Sequence, residues 1–183
     1  MKEYFFDVET CINGNKPNPL NDRIITIQYQ LLDGYDQPNG SLKILTEWEE
    51  GSEKRMLEKF KAIFVTESPF DFIPVGVNLY GYDLIVLLLR LEAHGLLDTK
   101  PIEFFRDRPV IDIKPILVIM NQGQFKGYTN IIKKQHGGNI KGWYENREYE
   151  KIIDYITQEA QSFIKAYRVL KEQLPRIVEK FNQ

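Results

Sequence analysis

The chain has 183 residues, of which 43% are hydrophobic and 27% charged, with a formal net charge of -2. These proportions exclude a disordered chain and suit one folded domain with a substantial core, too short for two ordinary ones. The absence of a global basic field argues against a protein that simply coats nucleic acid, but not against an enzyme, because clustered catalytic acids would subtract from any basic surface.

The first element is a strand over residues 3–9, rich in aromatics. Residues 13–22 hold Gly14, Pro17, Pro19 and several Asn and Asp, a loop composition. Residues 23–32 alternate β-branched and polar residues, which predicts a strand with one wet face. A turn over 33–40 and a third strand over 41–46 complete an antiparallel meander. Met56, Leu57, Phe60, Ile63 and Phe64 recur at helical spacing within 53–64. Residues 72–77 are a short apolar run, a buried strand. Residues 83–94 are helical and stop at Gly95, and 109–113 form another short strand. Two short helices flank Gly123 within 115–135. Residues 139–147 read as a loop. A long helix runs from about 148 to 172, with Pro175 ending or kinking it. Strands followed by alternating helices and strands predict one α/β domain with a mixed sheet.

One cysteine, Cys11, cannot form an internal disulfide, which points to a reducing, cytoplasmic setting. The start, Lys2 and Glu3 followed by a short apolar run ending at Asp7, has no leader pattern. The longest apolar stretch, residues 84–89, is too short to span a bilayer, so no membrane association is expected.

Three acidic segments draw the eye. Asp7 and Glu9 are two apart in a strand, so both carboxylates project from one face. Such a pair is either two solvated acids at a strand end or a cation site, since like charges side by side repel unless a cation lies between them. Mg2+ suits that place, because it takes hard oxygen ligands. The second segment, Gly76-Val77-Asn78-Leu79-Tyr80-Gly81-Tyr82-Asp83, follows a buried strand and opens a helix. Asp83 is either an N-cap or a site acid, because open α/β sheets place ligands outside the carboxyl ends of their strands. Tyr80 and Tyr82 either fill the core or stack on bases. The third segment is Tyr155-Ile156-Thr157-Gln158-Glu159. The apolar stripe of the long helix is Ile152, Ile156, Ala160, Phe163, Tyr167, Leu170 and Leu174. Glu159 falls roughly 70° from its centre and Asp154 roughly 150°, so Glu159 borders the buried face and Asp154 looks to solvent.

In this order, Phe6-Asp7-Val8-Glu9-Thr10, the Gly76–Asp83 segment and Tyr155-x-x-x-Glu159 resemble the three motifs of the DEDD superfamily of 3′→5′ exonucleases. The likeness is greatest to the proofreading exonuclease domain of family-B DNA polymerases and its stand-alone relatives. The segments 18–28 and Val110-Ile111-Asp112-Ile113 are similar to the family's connecting segments. The resemblance implies a ribonuclease H-like fold, a mixed central sheet flanked by helices, over 1–183 as a single domain. It implies two Mg2+ or Mn2+ ions held by Asp7, Glu9, Asp83 and Glu159, with Tyr155 orienting the attacking water. Thr10, Asn78 and Tyr82 would hold the terminal nucleotide. The substrate implied is the 3′ end of single-stranded nucleic acid, DNA ahead of RNA. No polymerase sequence follows the third motif, so a free-standing nuclease or a subunit is expected.

The third motif offers two other pairings, Glu150 with Asp154 and Tyr149 with Asp154. The stripe and the apolar spacing from Phe163 to Leu170, which follows the family pattern only with Glu159, favour Tyr155 with Glu159. Glu159 stands where the family has aspartate. On the motif alone, Glu159→Asp is expected to keep or raise the rate. The departure leaves an alternative from another class: a catalytically weak or inactive relative that binds nucleic acid or acts as a scaffold. Trp143, Tyr144 and Tyr128, with Lys133, Lys134, Lys141 and Arg147, are candidates for gripping a strand. The competing roles are core packing for the aromatics and a solvated face for the cations.

Overall fold

The structure, a computed structural model, describes residues 1–14, 16–32, 40–97, 101–121 and 137–181. In chain order these form β1 (Glu3–Cys11), β2 (Arg23–Leu32), β3 (Lys43–Thr46), α1 (Glu47–Glu50), α2 (Glu53–Phe64), β4 (Ile73–Gly76), a π-helical turn (Leu79–Asp83), α3 (Leu84–Ala93), α4 (Pro101–Asp107), β5 (Ile111–Asp112), α5 (Lys114–Met120), a 3-10 turn (Gly137–Asn139), α6 (Ile140–Glu145) and α7 (Tyr149–Phe181). The sheet order is β3-β2-β1-β4-β5. The first three strands are the expected antiparallel meander, and β4 and β5 add in parallel to β1.

The two faces of the sheet follow from the period-2 geometry of β1. Phe6 and Val8 enter a core with Met56, Leu57 and Phe60 of α2 and Leu84, Leu87 and Leu91 of α3. Phe5 points the other way, into a cluster with Ala160, Phe163 and Tyr167 of α7. A second cluster on the α7 side joins Ile25 to Ile140 of α6 and to Ile152, Tyr155 and Ile156. Asp7 and Glu9 share the parity of Phe5, so they face α7.

Three expectations are corrected. β2 has no wet face in its first half: Ile24 to Gln28 are all buried, because helices cover both sides of the sheet. Strict alternation is also broken there. The pairing shifts between Glu9 and Thr10, from Glu9↔Thr26 to Thr10↔Ile24. The extra β2 residue, Ile25, lets Ile24 and Ile27 share one core while Ile25 enters the other. Residues 139–147, expected as a loop, are mostly α6; burial of Ile140 against Ile25 overrides the poor helix formers Asn139 and Gly142. Finally, α7 does not end at Pro175 but continues to Phe181, the proline removing one N–H from the ladder without stopping it. Of the two helices expected around Gly123, α5 accounts for the first, and the second lies outside the described residues.

The bulge is held from below. Ile24 N–H donates to Glu53 Oε1 at 2.8 Å. The buried Glu53 carboxylate also accepts from Arg90 Nε at 2.9 Å and Nη2 at 2.5 Å, and it lies 3.0 Å from His94 Nε2. Burial alone would raise the Glu53 carboxyl, but the bonds from Arg90, His94 and Ile24 outweigh it and hold the group below its ordinary value. A lowered folded-state pKa adds stability that is present above the unfolded pKa and lost as pH falls through the folded one. Glu53→Gln is therefore expected to cost about 1–3 kcal/mol at pH 7. The urea midpoints of wild type and variant should converge as the pH is lowered below 4.5, the ordinary value of this group; a constant gap across that range would show that the charge is not what holds the bulge.

Candidate functional site

The site forms where the carboxyl end of β1 meets α7. Asp7, Glu9 and Glu159 each offer a carboxylate oxygen, and the three oxygens lie within 4.8 Å of one another. All three residues are half-buried, and Glu159 Oε2 is shielded from solvent. The helix stripe thus points as the sequence suggests: Ile152, Tyr155, Ile156, Ala160 and Phe163 are buried, Glu159 flanks them and reaches the acids of β1, and Asp154 is exposed. Three carboxylates this close together repel one another unless a cation lies between them. An all-oxygen donor set fits a hard divalent cation such as Mg2+.

Asp83 lies beside this trio but is not part of it. It is buried, and its Oδ1 accepts from Val8 N–H, between the two β1 acids, at 3.4 Å. It precedes α3 but makes no capping hydrogen bond, so of the two roles open to it the N-cap is not the one it takes. Asp112, at the end of β5, does that work instead. Its carboxylate accepts from Asn78 N–H at 2.8 Å, Tyr80 N–H at 3.1 Å and Lys114 N–H at 3.0 Å. Asn78 adopts the left-handed region at φ 66, and its carbonyl accepts from Gly81 N–H at 3.0 Å and Tyr82 N–H at 2.9 Å. A Cβ at Gly81 would stand 2.2 Å from Asn78 Oδ1, so a larger residue there would push the Asn78 amide aside. The same oxygen accepts from Lys114 Nζ at 2.6 Å, which brings a cation to the turn.

Tyr82 and Thr10 are joined. Tyr82 O–H donates to Asp22 Oδ2 at 2.7 Å, so Thr10 Oγ1 donates in turn to the phenol oxygen at 2.6 Å. Asp22 is buried and also accepts from Asn13 N–H at 3.0 Å and Asn18 N–H at 2.6 Å. Burial, with the Asp22 and Asp83 charges, pushes the Tyr82 phenol well above its ordinary value despite the bond from Thr10, so it stays protonated and donating. Tyr155 is packed beside Trp143, ring centroids 6.2 Å apart.

Asp22, Asp112, Gln28 and Lys114 belong to the surroundings of the site without having been singled out in the sequence. The available signal was a polar residue at the end of a strand or inside a buried one. Of the residues considered for gripping a strand, Tyr144 is engaged within the protein. Its hydroxyl donates to Glu47 at 2.5 Å and accepts from Arg23 at 3.0 Å, while its ring lies 6.1 Å from both Trp48 and Tyr149. Trp143 is half-buried against Tyr155, Lys141 is half-buried, and Arg147 is exposed. Tyr128, Lys133 and Lys134 lie outside the described residues.

No family model and no curated protein matches the chain. Solved structures do. E. coli exonuclease I in complex with a dT13 oligonucleotide is similar with a TM-score of 0.60 at 12% identity, over 98% of this chain and 43% of that one. The zinc-ion-bound form of the E. coli exonuclease I complex with single-stranded DNA gives 0.64 at 12% identity, over 98% and 42%. An exonuclease I structure that suggests how processivity is achieved gives 0.64 at 13%, over 98% and 42%. The chain thus spans less than half the length of these proteins. The likeness shows the fold, a ribonuclease H-like α/β architecture with a mixed five-stranded sheet. No helix among the described residues is long and apolar enough to cross a membrane.

The Tyr82 network makes a stability prediction. Tyr82→Phe keeps the ring and removes two hydrogen bonds, the one given to the buried Asp22 carboxylate and the one accepted from Thr10, an expected loss of at least about 1.5–3 kcal/mol. Asp22→Ala should cost more, since it strands three donors. Urea denaturation of both variants tests this, and a Tyr82→Phe protein as stable as wild type would show that the Asp22 contact contributes nothing.

Proposed function

We propose that the chain is a divalent-metal-dependent 3′→5′ exonuclease acting on single-stranded DNA, of the DEDD type and most like the family-B proofreading domains in its motifs. The observation that carries this reading is the meeting of Asp7 and Glu9 with Glu159, residues distant in sequence, within 4.8 Å on the α7 side of the sheet. The ribonuclease H-like fold and the single-stranded DNA in the similar exonuclease I complexes support it.

In this reading Asp7, Glu9 and Glu159, completed by Asp83, hold two Mg2+ or Mn2+ ions. Such ions supply Lewis-acid stabilisation of the charge that builds on the phosphate oxygens of an in-line displacement. The residues of the chain do the rest. Asn78, Thr10 and Tyr82 hold the terminal nucleotide, and Lys114 places positive charge beside Asn78. Because the Tyr82 hydroxyl is committed to Asp22 and Thr10, this pair presents a braced surface. Tyr155 orients the water. Water adds at the terminal phosphorus, the bond to the 3′ oxygen of the preceding nucleotide breaks, and a 5′-mononucleotide leaves. The whole of 1–183 acts as one unit in a reducing, cytoplasmic compartment. The tie between Glu3, in the first strand, and both Tyr167 and Lys171 of α7, at 3.1 Å and 2.8 Å, is in keeping with one unit.

With Mg2+ or Mn2+ the protein should shorten a 5′-labelled single-stranded oligonucleotide stepwise from its 3′ end, and EDTA should stop it. Asp7→Ala, Asp83→Ala and Glu159→Ala are expected to abolish cleavage, whereas the exposed Asp154→Ala should leave the rate near wild type. Tyr155→Phe should slow the reaction while metal still raises the melting temperature by mass action. For Glu159→Asp we expect the opposite of what the motif alone suggests. The carboxylates converge with glutamate in place, and shortening the side chain withdraws its carboxylate by about 1.5 Å. A displacement of that size costs roughly a hundredfold in rate. A protein that leaves DNA and RNA intact with either metal would instead be a non-catalytic binding or scaffolding relative.

A further inference from the structure

β2 is an isoleucine-rich strand buried on both sides, yet it carries Thr26 and Gln28, exposed by 0% and 1%. Burying polar side chains in such a strand is costly unless they are hydrogen-bonded. The pairing shows where they stand: Thr26 lies opposite Glu9 and Gln28 opposite Asp7. Directly opposed residues of an antiparallel pair share a face, so each acid of β1 faces a neutral polar residue of β2.

The geometry at Asp7 is explicit. Gln28 Nε2 donates to Asp7 Oδ2 at 2.6 Å, and Thr26 Oγ1 donates to Gln28 Oε1 at 3.1 Å. An ionised carboxylate only accepts, so the amide must turn its NH2 toward Asp7 and its oxygen toward the threonine hydroxyl. The amide is thereby held at both ends, and flipping it would turn its oxygen against the Asp7 carboxylate and lose that bond. One oxygen of Asp7 is tied down, which fixes the plane of the carboxylate and the direction in which its other oxygen looks.

The chemical nature of the donor matters as much as its position. An arginine or lysine in place of Gln28 would orient Asp7 equally well but would neutralise it and compete with a cation. A neutral amide orients the ligand and leaves its charge available. We propose that Gln28, locked by Thr26, is a positioning residue for Asp7 as a cation ligand. This rests on the metal-dependent reading above.

The test measures Mn2+ binding by calorimetry, in the absence of substrate, for wild type, Gln28→Met and Thr26→Val, together with cleavage at saturating Mn2+. Methionine keeps the length of the side chain and removes the donor. Partners of this kind are typically worth 10–100-fold in metal affinity or activity. Gln28→Met should therefore raise the Mn2+ dissociation constant by about 10–100-fold and lower kcat, with KM for the oligonucleotide unchanged. Thr26→Val should move the same quantities in the same direction by less. A purely structural role would lower the metal-free melting temperature and leave the affinity of the folded protein for Mn2+ as in wild type. That result in Gln28→Met, or in Thr26→Val should Gln28→Met fail to fold, overturns the proposal while the nuclease reading stands. Wild-type protein that neither binds Mn2+ nor cleaves overturns both.

Discussion

Everything in this molecule depends on β1 serving two faces at once. It is the central strand, paired antiparallel to β2 and parallel to β4. Its even positions, Phe6 and Val8, fill the core under α2 and α3, while its odd positions, Phe5, Asp7 and Glu9, face α7. A slip of one residue would drive two carboxylates into the phenylalanine core and expel the phenylalanine ring. The hydrophobic pattern that fixes the strand's register is therefore also what aims the acids. Site and core cannot be varied independently along these residues.

The second constraint is how charge is tolerated. Three carboxylates meet in a half-buried place, and neutral donors are among their surroundings: the Gln28 amide on Asp7 and, on the neighbouring Asp83, the Val8 N–H. The contrast with Glu53 is instructive. There a buried carboxylate of the same sheet is met by Arg90 as well as by His94 and Ile24 N–H, and its charge is satisfied within the protein. Glu53 is thus met by a guanidinium within the fold, whereas the donor that orients Asp7 is an amide that carries no charge of its own.

Much of this was legible in the sequence. The meander, the buried β4, the stop at Gly95 and the side of α7 that carries Glu159 all follow from spacing and from single residues with strong local preferences. What escaped was set by tertiary contact. α6 has Asn139, Gly142 and Asn146 within and around it, a loop composition, and it is helical because Ile140 has a core to enter. The broken alternation of β2 is a property of its pairing with β1, invisible in either strand alone. The roles of Asp22 and Asp112 depend on where the fold brings backbone N–H groups, those of Asn13 and Asn18 within its own loop for Asp22 and those of Asn78 and Tyr80 from a distant segment for Asp112. That Asp83 makes no side-chain cap to α3, while Asp112 satisfies the turn before it, is likewise a matter of tertiary contact.

The substitution of glutamate for aspartate in the third motif is then a question of where α7 sits. A motif read as letters makes Glu159 a ligand one methylene too long. With glutamate in place, its carboxylate comes within 4.8 Å of those of Asp7 and Glu9, and where it lies follows from where the helix sits. That position is not free. Ala160, next in the chain, is buried against the sheet with Phe163, and Tyr167 and Lys171 tie the later turns to Glu3 of β1. The helix is thus held to the same strand that supplies Asp7 and Glu9 through the turns that follow Glu159. The identity of the residue at 159 has therefore to be read together with the packing that follows it.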